Sequence, residues 1–220
     1  MSEFAAAIFD WDGVVIDSSA QHERSWELLA AEINKPLPVD HFIRGFGKKN
    51  QLIIPTILDW SHDSAEIEKL SVRKEELYRE LVRDQGLTIL PGAWELLRAL
   101  KEAGIPRAVG SSTPRVNLDA VFASTGLGEM FDAVVSANDV TNGKPAPDVF
   151  LKAASFLGIE PAKCVVFEDA LFGIEAAQRA GMKVVALSTT NPPELLTHAD
   201  KVVPNLAGVD LDMLRGLFAA

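Results

Sequence analysis

Two aspartates, Asp10 and Asp12, follow a short apolar run near the start of the chain, and a second acidic pair, Glu168 and Asp169, follows another run far downstream. Between them lie a hydroxyl-rich turn, Ser111-Ser112-Thr113 before Pro114, and a lysine, Lys144, in the loop after a third run. Four carboxylates gathered without compensation would repel one another: two like charges ~4 Å apart cost about 4 kcal/mol at an effective dielectric of 20. Positive charge must therefore sit among them. Oxygen donors in this number suit a hard divalent cation, Mg²⁺, which keeps several waters and takes a few carboxylates plus a substrate phosphate; Lys144 supplies a further charge. The Ser111-Ser112-Thr113 turn, with proline at the first helical position, offers hydroxyls and backbone N–H groups to an anion, a phosphate cradle. Each residue alone also fits a plainer role, the acids as helix N-caps or solvated turns and Thr113 as a cap.

What joins these residues is where the elements place them. Apolar runs at Ala5 to Phe9, Arg107 to Gly110, Ala133 to Val135, Cys164 to Phe167, Lys183 to Leu187 and Lys201 to Val203 read as buried strands. Helical patterns alternate with the later runs: Pro91 to Ala103 closing at Gly104, Pro114 to Thr125 at Gly126, Pro147 to Leu157 at Gly158, and Ala170 to Ala180 at Gly181. Strand alternating with helix predicts an α/β fold with a parallel sheet covered on both faces. Ligands of such sheets bind at the carboxyl ends of the strands, and every residue singled out above stands at such an end. From Ser18 to about Gly86 the patterns are helical only, notably Ala20 to Ile33 and Ala65 to Arg83. That is too long for a strand-to-helix connection. The expected organisation is an α/β core of residues 1–17 and 88–220 with a helical cap, 18–87, inserted between them and hinged near Asp17 and Gln85.

The 220 residues carry 21 Lys+Arg against 31 Asp+Glu, a formal net charge of −10, and 48% are hydrophobic. A negative balance without a basic block argues against nucleic acid or an anionic membrane surface as partner, and no apolar run nears the ~18 to 20 residues of a membrane span. The single cysteine, Cys164, reads as a buried strand residue and fits a reducing compartment. A cytoplasmic monomer is expected. His41, His62 and His198 are expected at the surface, and Gly45-x-Gly47 does not follow a strand, so a dinucleotide-binding reading fails.

The ordered set Asp10-Trp11-Asp12-Gly13-Val14-Val15, Ser111, Lys144 within Gly143-Lys144-Pro145-Ala146-Pro147-Asp148, and Glu168-Asp169 before Gly173-Ile174 resembles the four motifs of the haloacid dehalogenase superfamily. The resemblance spans nearly the whole chain and implies a Rossmann-like core with an all-helical cap. It further implies that Asp10 attacks phosphorus to form an aspartyl-phosphate. Asp12 would protonate the leaving oxygen and then take a proton from water, with Trp11 between them turned to packing. Mg²⁺ would be held by Asp10, the Asp12 carbonyl and Asp169, with Glu168 as a direct or outer ligand, while Ser111 and Lys144 grip the phosphoryl group. Members that cleave carbon–halogen bonds generally lack an acid at the position of Asp12, so dehalogenation is disfavoured.

Within the insert, His22, Arg44, Lys48 and Lys74, with Trp26 one helical turn beyond His22, resemble the substrate-facing residues of the β-phosphoglucomutase branch. Lys48 stands where the mutase carries arginine, and a point charge grips a phosphate less well than a bidentate fork. The run Leu187-Ser188-Thr189-Thr190-Asn191-Pro192-Pro193-Glu194 resembles instead the sugar-phosphate phosphatases of that branch, as does Lys74-Glu75-Glu76-Leu77-Tyr78. The basic residues Lys48, Lys49, Arg73 and Lys74 fit a solvated helix face equally well. The resulting expectation is a Mg²⁺-dependent phosphatase of a small phosphorylated metabolite, with a sugar phosphomutase as the alternative. A non-catalytic receiver-type module also uses acids, a hydroxyl and a lysine, but needs neither a cap nor Asp12.

Overall fold

The computed structural model describes residues 3–45 and 48–219. The chain divides into two compact units, one of Met1–Asp17 with Thr88–Ala220 and one of Ser18–Leu87. In the first, β1 (Ala6–Phe9) is central to a six-stranded sheet. β2 (Ile16–Asp17) and β3 (Thr88–Ile89) form a separate two-stranded antiparallel ladder, in which Asp17 pairs with Thr88. The remaining strands of the large sheet are β4 (Arg107–Gly110), β5 (Ala133–Val135), β6 (Cys164–Glu168), β7 (Lys183–Leu187) and β8 (Lys201–Val203). Their order is β5-β4-β1-β6-β7-β8 and every pairing is parallel. This is the α/β parallel sheet that the alternating runs predict.

Between charged ends such as Arg107, Lys183, Lys201 and Glu168 the strands are apolar because helices cover the sheet. Ala6, Ile8, Ala108, Val135, Val166 and Val184 belong to one continuous core with Val149, Phe150 and Ile174 of the covering helices. Phe9 lies beside Val109 on one side and Phe167 on the other, so the chain leaves β1, β4 and β6 at the same level. That register is what delivers Asp10, Ser111 and Glu168-Asp169 to a common edge.

The second unit begins with α1 (Ser19–Glu32), continues through α2 (His41–Gly45), α3 (Asn50–Ile53) and a π-helical turn at Ile54–Leu58, and closes with α4 (Ser64–Gln85). Asp63 caps α4 by accepting the Glu66 N–H at 2.9 Å. α4 buries Leu70, Ser71, Lys74, Leu77, Tyr78, Leu81 and Val82, a stripe at three- and four-residue spacing. Trp26, Leu29, Ile54, Trp60, Leu70 and Leu77 form this unit's own core. Arg73 ties α1 to α4 through Glu32, with Glu76 and Glu80 on its other side.

The α/β unit carries α5 (Ala93–Glu102), α6 (Arg115–Thr125), α7 (Asp148–Leu157), α8 (Leu171–Arg179) and α9 (Leu211–Gly216). One expectation needs correction. His41 is buried, its Nδ1 2.8 Å from the Pro38 carbonyl oxygen, because α2 turns it inward; His62 and His198 are exposed. Phe46 and Gly47, part of the Arg44 to Asn50 run, lie outside the described residues. Among the described residues no helix is long and apolar enough to cross a membrane.

Candidate active site

Asp10 is the first residue past β1, and its backbone N–H donates to the Phe167 carbonyl at 2.9 Å, fastening it to the end of β6. The Lys144 ammonium donates to Asp10 Oδ1 at 2.6 Å and to Glu168 Oε1, and it lies 4.7 Å from the Phe150 ring centre. Glu168 is 1% exposed, and its other oxygen accepts the backbone N–H groups of Asp169 and Ala170, both at 2.8 Å. Gly173 of α8 makes that arrangement feasible, since a Cβ there would stand 1.7 Å from Glu168 Oε1. One oxygen from each of Asp10, Glu168 and Asp169 lies within 4.8 Å of the others.

Three buried carboxylates stand around one ammonium, and Asp10 and Asp169 show the imbalance. Burial pushes the Asp10 carboxyl up to about 7, against the pull of Lys144 and with Glu168 adding to the rise. Burial, Glu168 and Asp10 raise Asp169 well above the carboxylate range, with Thr190 and Lys144 opposing. Burial works against the Lys144 charge, yet Asp10 and Glu168 hold its proton more firmly than an ordinary lysine's. A donor set of hard oxygens with surplus negative charge fits a divalent cation. Glu168 accepts from Lys144 and from two N–H groups and so is placed to hold Lys144, while Asp10, Glu168 and Asp169 together stand close enough to share an ion.

The hydroxyl turn stands beside them. Ser111 is buried, anchored by its N–H to the Val135 carbonyl at 3.0 Å, and its Oγ accepts the Thr113 N–H at 3.0 Å. Thr113 Oγ1 donates to Asp12 Oδ2 at 2.5 Å, which links the turn after β4 to the turn after β1. Ser112 is exposed. Trp11 is fully buried against Phe122, with ring centres 5.1 Å apart, as a packing residue. Asp10, Asp12, Ser111, Thr113, Lys144, Glu168 and Asp169 are thus linked at one sheet edge.

Three residues without an assigned role join this site from the exit of β7. Thr189 Oγ1 donates to the Gly13 carbonyl at 2.6 Å, Thr190 Oγ1 donates to Asp169 Oδ2, and Asn191 Nδ2 donates to the Asp169 carbonyl at 2.9 Å. The available signal was a polar Ser-Thr-Thr-Asn run directly after an apolar strand.

The candidate residues of the helical unit divide. His22 stacks on Tyr78 with ring centres 4.1 Å apart, and its Nδ1 lies 2.7 Å from Lys74 Nζ. Lys74 is only 3% exposed and also donates to Glu75 at 3.0 Å, while Glu75 accepts from Asn50 at 2.7 Å. Burial disfavours the Glu75 charge, but Lys74 and His22 overcome it and bring the carboxyl down to about 2. Lys74 is therefore not part of a solvated face: it occupies the buried stripe of α4. Trp26 is buried like Lys74, 4% exposed and edge-on to Trp60, with Lys74 Nζ 5.5 Å from its ring centre. Arg44 and Lys48 are exposed, Arg44 pairing with Asp40 at 3.4 Å and Lys48 donating to the Arg44 carbonyl at 2.8 Å.

Comparison with known proteins gives a consistent picture. The family model of haloacid dehalogenase-like hydrolases matches residues 4–181. The chain is 34% identical over 213 residues to the chloroplastic 5-amino-6-(5-phospho-D-ribitylamino)uracil phosphatase of Arabidopsis thaliana, covering 96% of this chain and 57% of that protein, so it spans little more than half of that relative's length. It is 33% identical over 186 residues to a fructose-1-phosphate phosphatase of Escherichia coli K12, covering 83% of this chain and 95% of that protein. The solved structure of β-phosphoglucomutase from Clostridium difficile superposes with a TM-score of 0.83 at 26% identity, covering 98% of this chain and 97% of that one.

Proposed function

Because the chain belongs to the haloacid dehalogenase-like hydrolases, we propose that it is a Mg²⁺-dependent phosphatase of a small phosphorylated metabolite, a sugar phosphate, acting through an aspartyl-phosphate on Asp10. The observation that carries this reading is the Lys144 ammonium held between Asp10 and Glu168 with Asp169 alongside. Asp10 and Asp169, with the Asp12 carbonyl, would hold the ion, and Glu168 would act on it through Lys144. A bound Mg²⁺ supplies charge neutralisation for the phosphoryl oxygens and for the ionised acids.

In the first step an Asp10 carboxylate oxygen bonds to phosphorus while the bond from phosphorus to the alcohol oxygen breaks. Asp12 gives that oxygen its proton, and Thr113 holds the Asp12 carboxyl in place through Oδ2. In the second step water attacks the phosphorus of the ester, Asp12 takes the water's proton, and inorganic phosphate leaves with Asp10 restored. Lys144 and the Ser111 and Thr113 hydroxyls, with Ser112, steady the transferring group, so the protein's work is positioning and charge compensation. Choice among metabolites is assigned to polar side chains of the helical unit, His22, Arg44, Lys48 and Lys74. A cytoplasmic location belongs to the same proposal.

The likeness to a β-phosphoglucomutase favours one second reading, in which the phosphoryl group returns from Asp10 to a sugar hydroxyl. Phosphate release from sugar phosphates, nucleotides and glycolate phosphate, with and without Mg²⁺, tests the first reading. Asp10→Asn should abolish release while remaining folded, because an amide is a poor nucleophile. With β-glucose 1-phosphate and a trace of bisphosphate, formation of glucose 6-phosphate without free phosphate would decide for the mutase.

A further inference from the structure

Strand order places β7 beside β6, and β6 beside β1, so a loop leaving β7 must pass the exit of β6 before it can touch the chain beyond β1. The Ser188 to Asn191 segment does this with three consecutive side chains. Asn191 takes the Asp169 main-chain carbonyl, Thr190 takes Asp169 Oδ2, and Thr189 takes the main-chain carbonyl of Gly13, three residues past Asp10. Asp169 stands just outside β6, where no ladder hydrogen bonds define its backbone. Its N–H is held by Glu168, while its carbonyl and carboxylate are held by these side chains and packed against Gly13. Gly13 has φ 77°, and a Cβ there would fall 2.1 Å from Asp169 Oδ2 and 2.9 Å from Thr190 Oγ1. The three groups are in mutual contact only because residue 13 lacks a side chain.

We propose that Thr190 and Asn191 are positioning residues that orient the Asp169 carboxylate for a divalent cation shared with Asp10, and that Thr189 extends the same clamp to the loop after β1. The proposal rests on the magnesium reading above and adds residues that no motif of the sequence assigns. Its physical basis is preorganisation. A free aspartate side chain rotates about two bonds, and a cation that finds it unfixed must order it on binding. A hydroxyl donor on one oxygen restrains the side-chain torsions, an amide donor on the main-chain carbonyl holds the backbone that carries them, and the second oxygen is left for the ion. Threonine suits the task because its branched Cβ restricts its own rotation. Partners that orient metal-binding groups in this way are typically worth about 10- to 100-fold in affinity.

The test is calorimetric titration of Mg²⁺ into the metal-free full-length protein, with thermal melting of the metal-free forms as a check on folding. Thr190→Val removes the donor and keeps the branched shape; it should weaken Mg²⁺ binding about tenfold. Thr190→Ser, which keeps the donor, should restore affinity to within about threefold of the wild type, a rescue that a merely structural role would not produce. Wild-type affinity in Thr190→Val, or a loss that serine does not rescue, overturns the clamp while leaving the magnesium reading intact. Absence of Mg²⁺ binding by the wild type overturns the magnesium reading itself and the clamp with it. Should Thr190→Val show no cooperative melting, Asn191→Ala decides in its place: weakened binding supports the clamp and unchanged binding overturns it.

Discussion

Gly173→Ala offers a sharp test of how the site is held, because local propensity and site geometry predict opposite signs. Alanine in a helix interior is favoured over glycine by roughly 0.5–1 kcal/mol, so on propensity alone the substitution in α8 stabilises. In the structure the new Cβ would fall 1.7, 1.9 and 2.5 Å from Oε1, Cδ and Oε2 of Glu168, overlapping the whole carboxylate. Glu168 would have to leave Lys144 and the N–H groups of Asp169 and Ala170. Overpacking costs about 1–3 kcal/mol, and separating a buried ion pair about 3–5 kcal/mol. We expect Gly173→Ala to destabilise the metal-free α/β unit by about 3–5 kcal/mol and to lower phosphate release at least a hundredfold. Urea unfolding of a double-mutant cycle with Glu168→Ala isolates the cause. Glu168→Ala alone should also lose about 3–5 kcal/mol. In that background there is nothing left to strike, so adding Gly173→Ala should now stabilise by about 0.5–1 kcal/mol. Additive losses, or a stabilising Gly173→Ala in the otherwise unchanged protein, would refute the account of Glu168 as the post that holds Lys144.

Other outcomes follow from the same geometry. The Asp10 carboxyl lies at about 7 against an ordinary 3.8, so its contribution to folding is complete below about pH 4 and is lost as pH rises through 7. Stability of the metal-free protein in urea should therefore fall between about pH 4 and 7 by up to ~4 kcal/mol, with Asp169 shifted in the same direction; a flat profile contradicts the burial argument. Asp12→Ala should keep the fold and the Mg²⁺ affinity yet lose about 10²- to 10⁴-fold in turnover, and unchanged release would reject its role in proton transfer. Lys74→Met should destabilise the protein by about 3–5 kcal/mol, because it leaves Glu75 buried without its ammonium partner. A loss below about 1 kcal/mol would show Lys74 to be a surface charge.

The sheet was legible because each strand is buried on both faces and so reads as an uninterrupted apolar run, with proline and glycine marking the helices between. β4, β5, β7 and β8 begin and end where those runs do. The principal site residues were legible for a related reason: a parallel sheet delivers all strand ends to one edge, so Asp10, Ser111 and Glu168 could be gathered without coordinates. The ladder of Ile16–Asp17 with Thr88–Ile89 was not, since two residues make no pattern and the partner lies across the whole insert. For Lys74 the sequence left a substrate-facing role and a solvated face both open, because charge counts toward solvent in any composition argument; its position between Leu70 and Leu77 on the apolar stripe of α4 puts it inside. Thr190 and Asn191 stood in a run that resembles the sugar-phosphate phosphatases, but their contacts were not legible: polar residues after a strand are ordinary loop chemistry until the neighbouring strand is known.

That short ladder has a consequence for how such a protein could diversify. Asp17 and Thr88 face each other across it, so the points where the chain departs from the α/β scaffold and rejoins it are already side by side. Any segment whose own ends meet can be spliced there with little added closure entropy, which grows only slowly with loop length. The scaffold can therefore exchange its helical passenger wholesale while keeping the strand ends that gather Asp10, Ser111 and Asp169.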